Sequence, residues 1–203
     1  MLIEFKNRFK IQDLDVECKM NFSKGQLLLL TGENGIGKSS FIQFLKLNQR
    51  EFFKEKKVVF IDQFQLKPIN QISYKEVENL LSPMRSGKVS CYESLKEKVA
   101  PFEDKPINDL SGGQNQMVKL ALGIYLAGDI FILDEPFQYL DQANVSLLTK
   151  LIVDLKEQGK TLLIVEHRKE LISELVDKSY KMINSGQLEI VEEVGKEVIE
   201  SGI

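Results

Sequence analysis

Several residue types are scarce in this sequence, and each shortage weakens the case for one class of function. The 203 residues include no tryptophan, two cysteines and a single histidine. Cys18 and Cys91 lie far apart, without metal-ligand spacing and without a nearby histidine, so the pattern indicates neither a metal site nor paired cysteines. We expect reduced thiols, as in a cytosolic protein.

Long apolar runs and an excess of basic residues are also missing. The longest apolar runs are far shorter than the ~20 residues that a membrane-spanning helix needs, and no N-terminal signal pattern is visible. Any work at a membrane would therefore need another chain to do the spanning. The formal net charge is −3, which argues against nucleic acid as the main partner, because binding to a phosphate backbone usually requires a basic surface.

The remaining composition is that of a globular protein. Hydrophobic residues make up 43% and charged residues 28% of the chain, which is enough to bury a full core. The length predicts one domain, or one domain with a substantial insertion.

Four short runs are apolar throughout, as is typical of parallel strands covered on both faces. Polar residues follow each run, and ligands of open α/β sheets bind beyond the carboxyl ends of the strands. We therefore expect one rim of the sheet to hold the functional groups. The runs are Leu27–Leu30, Val58–Ile61, Ile130–Leu133 and Leu162–Val165.

The other segments predict a more varied set of elements. Alternation from Leu14 to Phe22 predicts a half-buried strand of an antiparallel part, and residues 180–191 predict two short strands around a turn. An apolar stripe from Val145 to Leu155 predicts a helix that ends before Gly159. Residues 168–177 also resemble a helix. The segment 64–126 lacks a buried strand and has helical patterns near 73–82 and 91–99, so we interpret it as a mostly helical insertion.

The stretch Gly32–Ser39 fits the phosphate-binding P-loop pattern of a glycine, four residues and Gly-Lys-Ser. It follows the apolar run Leu27–Leu30 and precedes residues with helical spacing, which is the context the motif requires. Such a turn directs backbone N–H groups and a helix N-terminus at an anion. Lys38 would reach the β- and γ-phosphates and Ser39 would ligate Mg²⁺. The alternative is an ordinary glycine-rich turn with an exposed lysine.

A second helix start has small residues that suit an anion. Leu110–Gln114 reads LSGGQ and precedes a strongly apolar helix, and its serine and glycines leave the N–H groups open to a phosphate. Taken alone, the stretch is better explained as an ordinary N-cap at Ser111 with a flexible turn.

Leu110–Gln114 resembles, letter for letter, the signature motif of ATP-binding cassette (ABC) ATPases. Ile130–Pro136 is similar to the Walker B strand of that family. The remaining family marks come in the expected order: Gln63 after a strand, the D-loop at Leu140-Asp141, and a switch histidine at His167. The similarity covers about residues 1–190.

The resemblance implies a site shared by two cassettes packed head to tail, in which each ATP lies between the P-loop of one and the signature helix of the other. It implies that Asp134 holds Mg²⁺ and that Glu135 orients or deprotonates the attacking water. Together with Ser39, Gln63 would contact Mg²⁺, and it would also sense the γ-phosphate, which His167 would contact.

The nucleotide contacts implied by the family fall on both half-sites. Phe9 has two interpretations, stacking on adenine or packing in the core. The residues concerned are Phe9, Asn34, Gly35, Gly37, Lys38, Ser39, Ser40, Ser111, Gly112, Gly113, Gln114 and Asp141. Within one ABC ATPase domain (1–203), we expect a RecA-like core of about 1–63 and 127–191 and a helical subdomain of about 64–126. The expected fold is therefore an α/β P-loop NTPase core with a mostly parallel sheet, an N-terminal antiparallel β part and a helical insertion.

Two positions depart from the family pattern. Met117 stands where the family often has arginine, and residues 137–139 (FQY) replace smaller residues before the D-loop. Neither change removes a group that handles phosphate or Mg²⁺, so we expect catalysis to survive.

The resemblance implies an ATP-binding and ATP-hydrolysing transporter subunit that acts through integral membrane permease subunits. It would be cytoplasmic, held at the inner face of the cell membrane, and would form a homodimer or a heterodimer with a second ABC ATPase. A different class is a soluble ABC ATPase that acts on the ribosome or on DNA, although such chains usually carry two cassettes or basic arms. A third is a nucleotide-gated switch without turnover, against which the intact Glu135 argues.

Overall fold

The computed structural model describes residues 2–11, 14–62, 72–85, 92–184 and 188–193. The strands of this part form one sheet in the order β1-β2-β8-β7-β3-β6-β5-β4. Their bounds are β1 Leu2–Ile11, β2 Leu14–Ser23, β3 Leu27–Gly32, β4 Val58–Ile61, β5 Ile130–Asp134, β6 Thr161–Val165, β7 Lys178–Asn184 and β8 Leu188–Glu193.

Five neighbouring strands, β7, β3, β6, β5 and β4, are all parallel to one another. The four apolar runs of the sequence all lie within this group, which confirms the prediction of a mostly parallel sheet. The antiparallel part is confirmed too, because β1 pairs with β2 and β7 pairs with β8 in antiparallel fashion, while β2 and β8 run parallel.

Helices cover both faces of the sheet. The helices are α1 Lys38–Leu47, α2 Gln49–Phe53, α3 Tyr74–Leu81, α4 Tyr92–Val99, α5 Gly112–Tyr125 and α6 Gln142–Glu157. Alternate side chains of each central strand enter different cores: Leu28 and Leu30 pack with α1 and α2, whereas Leu27 and Leu29 pack with the apolar sides of α4, α5 and α6. This two-sided burial explains why the strand sequences are apolar throughout.

The helical predictions hold for most segments. Helices α3 and α4 coincide with the patterns near 73–82 and 91–99, and the rest of the described insertion consists of α5 and short 3₁₀ turns, which confirms a helical subdomain. Helix α6 ends at Glu157, and Gly159, two residues later, has φ 73°. The prediction that this helix ends before Gly159 is therefore confirmed. None of the described helices combines the length and apolarity needed to cross a membrane.

The prediction of a helix at residues 168–177 is wrong. Only Lys169–Leu171 forms a 3₁₀ turn, and the Ile172 and Leu175 N–H groups likewise donate to carbonyls three residues back. The Asp177 N–H instead donates to the Leu27 carbonyl, which draws the chain into the sheet. The apolar residues that suggested a helix pack into the core from successive turns, because tertiary contacts override a short local pattern.

Candidate functional site

The P-loop carries the chain from strand β3 into helix α1. Gly32 has φ 144°, and a Cβ built there would lie 2.8 Å from the Met182 carbonyl oxygen. Only glycine meets both demands. Gly35 and Gly37 also have positive φ, at 77° and 112°, a conformation that glycine adopts without strain.

Lys38 is buried, with 6% of its surface exposed, and this excludes the exposed lysine of the alternative interpretation. Its Nζ donates to the carbonyl oxygens of Gly32 at 2.9 Å and Glu33 at 2.8 Å. Burial lowers the pKa of Lys38, and the nearby Glu135 and Asp134 carboxylates oppose that shift. The Lys38 ammonium group therefore bridges two carbonyls of the P-loop and lies near the carboxylates of Glu135 and Asp134.

Asp134 ends β5 as a buried carboxylate that is incompletely paired. Its Oδ1 has no hydrogen-bond partner in the described part of the chain. Burial raises the pKa of Asp134, a hydrogen bond from the Ser39 hydroxyl lowers it, and Glu135 raises it further. A buried carboxylate oxygen without a donor, next to a hydroxyl, is a donor set that suits a hard divalent cation.

Glu135 is the next residue and has a strained backbone, with φ 48°. Its N–H donates to the Val165 carbonyl oxygen at 2.9 Å. Its Oε1 lies 3.0 Å from Nε2 of His167, so the ends of β5 and β6 bring an acid and an imidazole together. Positive φ at a non-glycine residue persists only where the surroundings enforce it, and such positions cluster at active sites.

A cleft of about 420 Å³ joins Lys38, Glu135 and His167. It is open to solvent and lies over the N-terminus of α1, where backbone N–H groups and the helix dipole favour an anion. Its lining contains every P-loop residue assigned to the nucleotide, together with the acid and the histidine. These are Asn34, Gly35, Gly37, Lys38, Ser39, Ser40, Glu135 and His167.

The LSGGQ turn lies outside this cleft. Ser111 is the N-cap of α5: its hydroxyl accepts from the Gln114 N–H at 3.3 Å, and the Gln114 side chain accepts from the Ser111 N–H at 3.1 Å. Ser111 and Gly112 are exposed. The N-cap interpretation therefore holds in the single chain, while the turn remains accessible to a second molecule.

The D-loop region packs against this turn. A Cβ on Gly113 would lie 2.9 Å from the Tyr139 carbonyl oxygen, and one on Gly112 would lie 3.2 Å from the Tyr139 ring. Tyr139 itself is 71% exposed with φ 63°. The bulky residues before the D-loop thus have separate roles: Phe137 fills the core, whereas Tyr139 lies beside the signature glycines.

The other predicted residues have different placements. Asp141 is the N-cap of α6 and accepts from the Asn144 N–H at 2.8 Å. Phe9 lies in β1 opposite Val16, but its side chain is outside the described part, so both interpretations stay predictions. Gln63 lies outside the described residues.

Met117, which stands where the family often has arginine, belongs to the hydrophobic core. Met117 is 3% exposed, and the neighbouring Gln116 donates to the Pro136 carbonyl oxygen at 3.0 Å. This bond ties α5 to the turn after Glu135, so the signature helix and the acidic strand end are linked within one chain.

Glu166 is a buried acid at the site to which the sequence motifs assigned no role. It is 3% exposed, and its Oε1 accepts from the backbone N–H groups of His167 and Arg168. The signal was available in the sequence, because Glu166 comes directly after an apolar run, as Asp134 does.

Comparisons with known proteins agree with the geometry. The family model described as "ABC transporter" matches residues 16–138. The zinc transport system ATP-binding protein TroB of Treponema pallidum is 28% identical over 88% of this chain and 74% of its own length. The energy-coupling factor transporter ATP-binding protein EcfA1 of Fusobacterium nucleatum is 30% identical over 85% and 76%. A dimeric structure of a bacterial ABC transporter cassette superposes with a TM-score of 0.70 at 20% identity, covering 97% of this chain and all of that one.

Proposed function

Because this chain belongs to the ABC transporter family and is an ATPase subunit that energises transport, we propose that two copies of it enclose two ATP molecules. Each ATP would lie between the P-loop of one copy and the Ser111–Gln114 turn of the other. ABC cassettes bind ATP and dimerise.

One observation carries the proposal. The P-loop, Glu135 and His167 line one cleft, and no residue of the signature turn belongs to its lining. Leu110 and Gly112 of the exposed signature turn line a second cavity of about 280 Å³, whose wall also includes Asp134 and Glu135. The P-loop and the signature turn of a single chain therefore lie in different cavities, and each is one half of the proposed site. Both halves are intact in the same sequence, so a second copy is chemically sufficient to complete them.

The residues around Asp134 fit Mg²⁺. In the described part of the chain no three carboxylate, cysteine or histidine side chains meet to form an all-protein metal site, and Mg²⁺ is ordinarily held by one or two carboxylates together with substrate phosphates. Ser39 and Asp134 would hold it, with Gln63 as a further ligand and sensor. Bound Mg²⁺ supplies charge neutralisation on the β- and γ-phosphate oxygens.

Hydrolysis requires an activated water at the γ-phosphate. Glu135 orients this water or accepts its proton, and His167 contacts the γ-phosphate from the neighbouring strand end. Lys38 exchanges its two loop carbonyls for phosphate oxygens. Asn34, Gly35, Gly37 and Ser40 contribute to the phosphate cradle, and Asp141 approaches the partner across the interface.

The energy of ATP-driven closure is delivered to separate integral membrane permease subunits, which hold this chain at the cytoplasmic face of the membrane. The two relatives serve a zinc transporter and an energy-coupling factor transporter, so the same ATP step is compatible with different cargo. We assign the RecA-like core to about 1–63 and 127–191 and the helical subdomain to about 64–126, within one domain.

Replacing the proposed catalytic acid tests this function. Glu135→Gln should lower the ATP turnover number by a factor on the order of 10²–10³, since general acid–base catalysis is worth about that much, while ATP is still bound. The variant should accumulate as an ATP-bound dimer in size-exclusion chromatography. Glu157→Gln, an exposed glutamate at the end of α6, is the matched control and should keep wild-type turnover. Wild-type turnover in Glu135→Gln would remove Glu135 from its role.

Affinity purification from detergent-solubilised membranes tests the permease partners. We expect an integral membrane chain to copurify with the tagged subunit in apparent equal amounts. Recovery of ribosomes or DNA in its place, with turnover stimulated by them, would contradict the transport assignment.

A further inference from the structure

The turn that carries His167 is held by a buried carboxylate. Oε1 of Glu166 accepts from the His167 N–H at 2.9 Å and from the Arg168 N–H at 3.0 Å. Its Oε2 is buried and has no hydrogen-bond partner among the described residues. A carboxylate that accepts two consecutive backbone N–H groups fixes the direction of the chain where it leaves the strand.

The same turn has a second attachment on the side of Glu135. Arg168 Nη2 donates to the Phe137 carbonyl oxygen at 2.6 Å, and its Nε lies 3.8 Å from Glu166 Oε1. Phe137 is fully buried two residues after Glu135. The loops that carry the acid and the histidine are therefore connected to each other through Glu166 and Arg168.

The imidazole cannot be oriented by packing alone. His167 is exposed, and its Nε2 lies 3.0 Å from Glu135 Oε1. Its position must then come mainly from the backbone on which it stands. Burying a carboxylate at the strand end is costly unless it is paired and hydrogen-bonded, and an apolar residue would continue the pattern of β6 without that cost.

We propose that Glu166 is a positioning residue that sets the geometry of the Glu135–His167 pair for ATP hydrolysis. This inference rests on the proposed function, because it assumes that Glu135 and His167 act on the γ-phosphate and its water. Glu166 acts through the two N–H groups that it accepts from, and it does not touch the nucleotide. A displacement of about 1 Å at a reacting group is enough to cost on the order of 10²-fold in rate.

Two variants distinguish the role of Glu166 as a hydrogen-bond acceptor from the role of its negative charge. Glu166→Ala removes the acceptor and should lower kcat for ATP by about 10- to 100-fold, while KM for ATP changes by less than about twofold because the P-loop is untouched. Glu166→Gln keeps an acceptor oxygen at the same position and should restore kcat to within about threefold of wild type.

A matched control distinguishes positioning from general loss of stability. Asp177 is another carboxylate that accepts a strand N–H, from Leu27 at 2.7 Å, but at the opposite end of the sheet from the cleft. Asp177→Ala should lower the thermal midpoint and leave kcat at the wild-type value. If Asp177→Ala lowers kcat as much as Glu166→Ala does, the effect of Glu166 is general destabilisation and the proposal is wrong.

The single histidine of the chain provides a direct reading of position. In a sample labelled at histidine, the one imidazole signal should shift in Glu166→Ala toward its value in Glu135→Ala, in which the carboxylate neighbour is removed. In Glu166→Gln the signal should stay at its wild-type value. An unmoved signal in Glu166→Ala together with wild-type kcat would overturn the proposal.

The failure of this inference can be distinguished from the failure of the proposed function. If Glu135→Gln and His167→Ala both turn over ATP at the wild-type rate, the proposed catalytic residues are wrong and the positioning role falls with them. If those two variants are slow while Glu166→Ala is normal, the catalytic assignment stands and only the positioning role is refuted.

Discussion

Asp134→Asn should make the nucleotide-free protein more stable while harming its function. The native carboxylate is buried, one of its oxygens lacks a donor among the described residues, and burial raises its pKa. A buried carboxylate that is incompletely paired is costly because it carries a charge, and asparagine removes that charge. The Ser39 hydroxyl and the Lys38 ammonium offset part of the cost in the wild type. We therefore expect the variant to gain about 1–2 kcal/mol.

The gain can be measured by thermal or denaturant unfolding of the protein without nucleotide. For a chain of this size, about 1–2 kcal/mol corresponds to a rise in Tm of roughly 2–8 °C. Asp129→Asn is the matched control: this exposed carboxylate at the other end of β5 accepts from the Lys57 N–H at 3.1 Å, so its loss should lower stability slightly.

The stability that Asp134→Asn gains over wild type should depend on pH in a defined direction. Because the folded-state pKa of Asp134 is raised, the folded protein binds the proton more tightly than the unfolded chain does. Ionisation therefore destabilises the fold increasingly as pH rises from about 4, the ordinary value of an aspartate, up to the folded-state pKa. The advantage of Asp134→Asn should be full above the folded-state pKa and should shrink as pH falls from that pKa toward 4.

A non-hydrolysable ATP analogue with Mg²⁺ should reverse the order of stability. Ligand that binds only the folded state adds stability according to its affinity, and the wild-type carboxylate is then matched by the cation. If Asp134→Asn is no more stable than wild type at pH 7 without nucleotide, the native carboxylate is already compensated and the prediction is refuted.

Two further predictions concern burial and backbone geometry. Gly32→Ala should lose about 2–4 kcal/mol in denaturant unfolding, because its Cβ would lie 2.8 Å from the Met182 carbonyl oxygen at φ 144°; a loss below about 0.5 kcal/mol would contradict this close approach. Burial raises the pKa of Cys18 to about 12, so at pH 8 a Cys91→Ser variant should react with a thiol reagent at least ~10³-fold more slowly when folded than in denaturant. Fast labelling of the folded variant would contradict the burial of Cys18.

The parallel core was predictable because each central strand is buried on two faces. A run such as Leu27–Leu30 is apolar at every position, so the sequence pattern directly indicates a strand buried on both faces. The glycine turn after the run constrains where helix α1 begins. The segment 168–177 was mispredicted because its apolar residues share a core with α6 but reach it from successive tight turns, and that depends on the Asp177 N–H bonding to Leu27. Local spacing carries no information about that long-range bond.

The candidate site was predictable to different depths for different residues. The P-loop and the acidic strand end were identified from short motifs whose chemistry requires fixed spacing. The contact between Glu135 and His167 could not be predicted, since it depends on the register of β5 against β6. The packing of Tyr139 on Gly112 likewise depends on how the turn before α6 lies against the start of α5. The N-cap of Asp141, in contrast, is a local bond to the Asn144 N–H, of the kind that a helix-start pattern predicts.

Mixing two inactive variants tests the shared site most directly. Lys38→Ala lacks a working P-loop and Ser111→Arg lacks a working signature turn, so neither alone should hydrolyse ATP. In a mixed dimer, the Ser111→Arg P-loop faces the intact signature turn of the Lys38→Ala copy, and the equal mixture should recover about a quarter of the wild-type ATP turnover, as expected for a twofold dimer with random pairing. A mixture that remains as inactive as its separate components would contradict a site built from two copies of this chain.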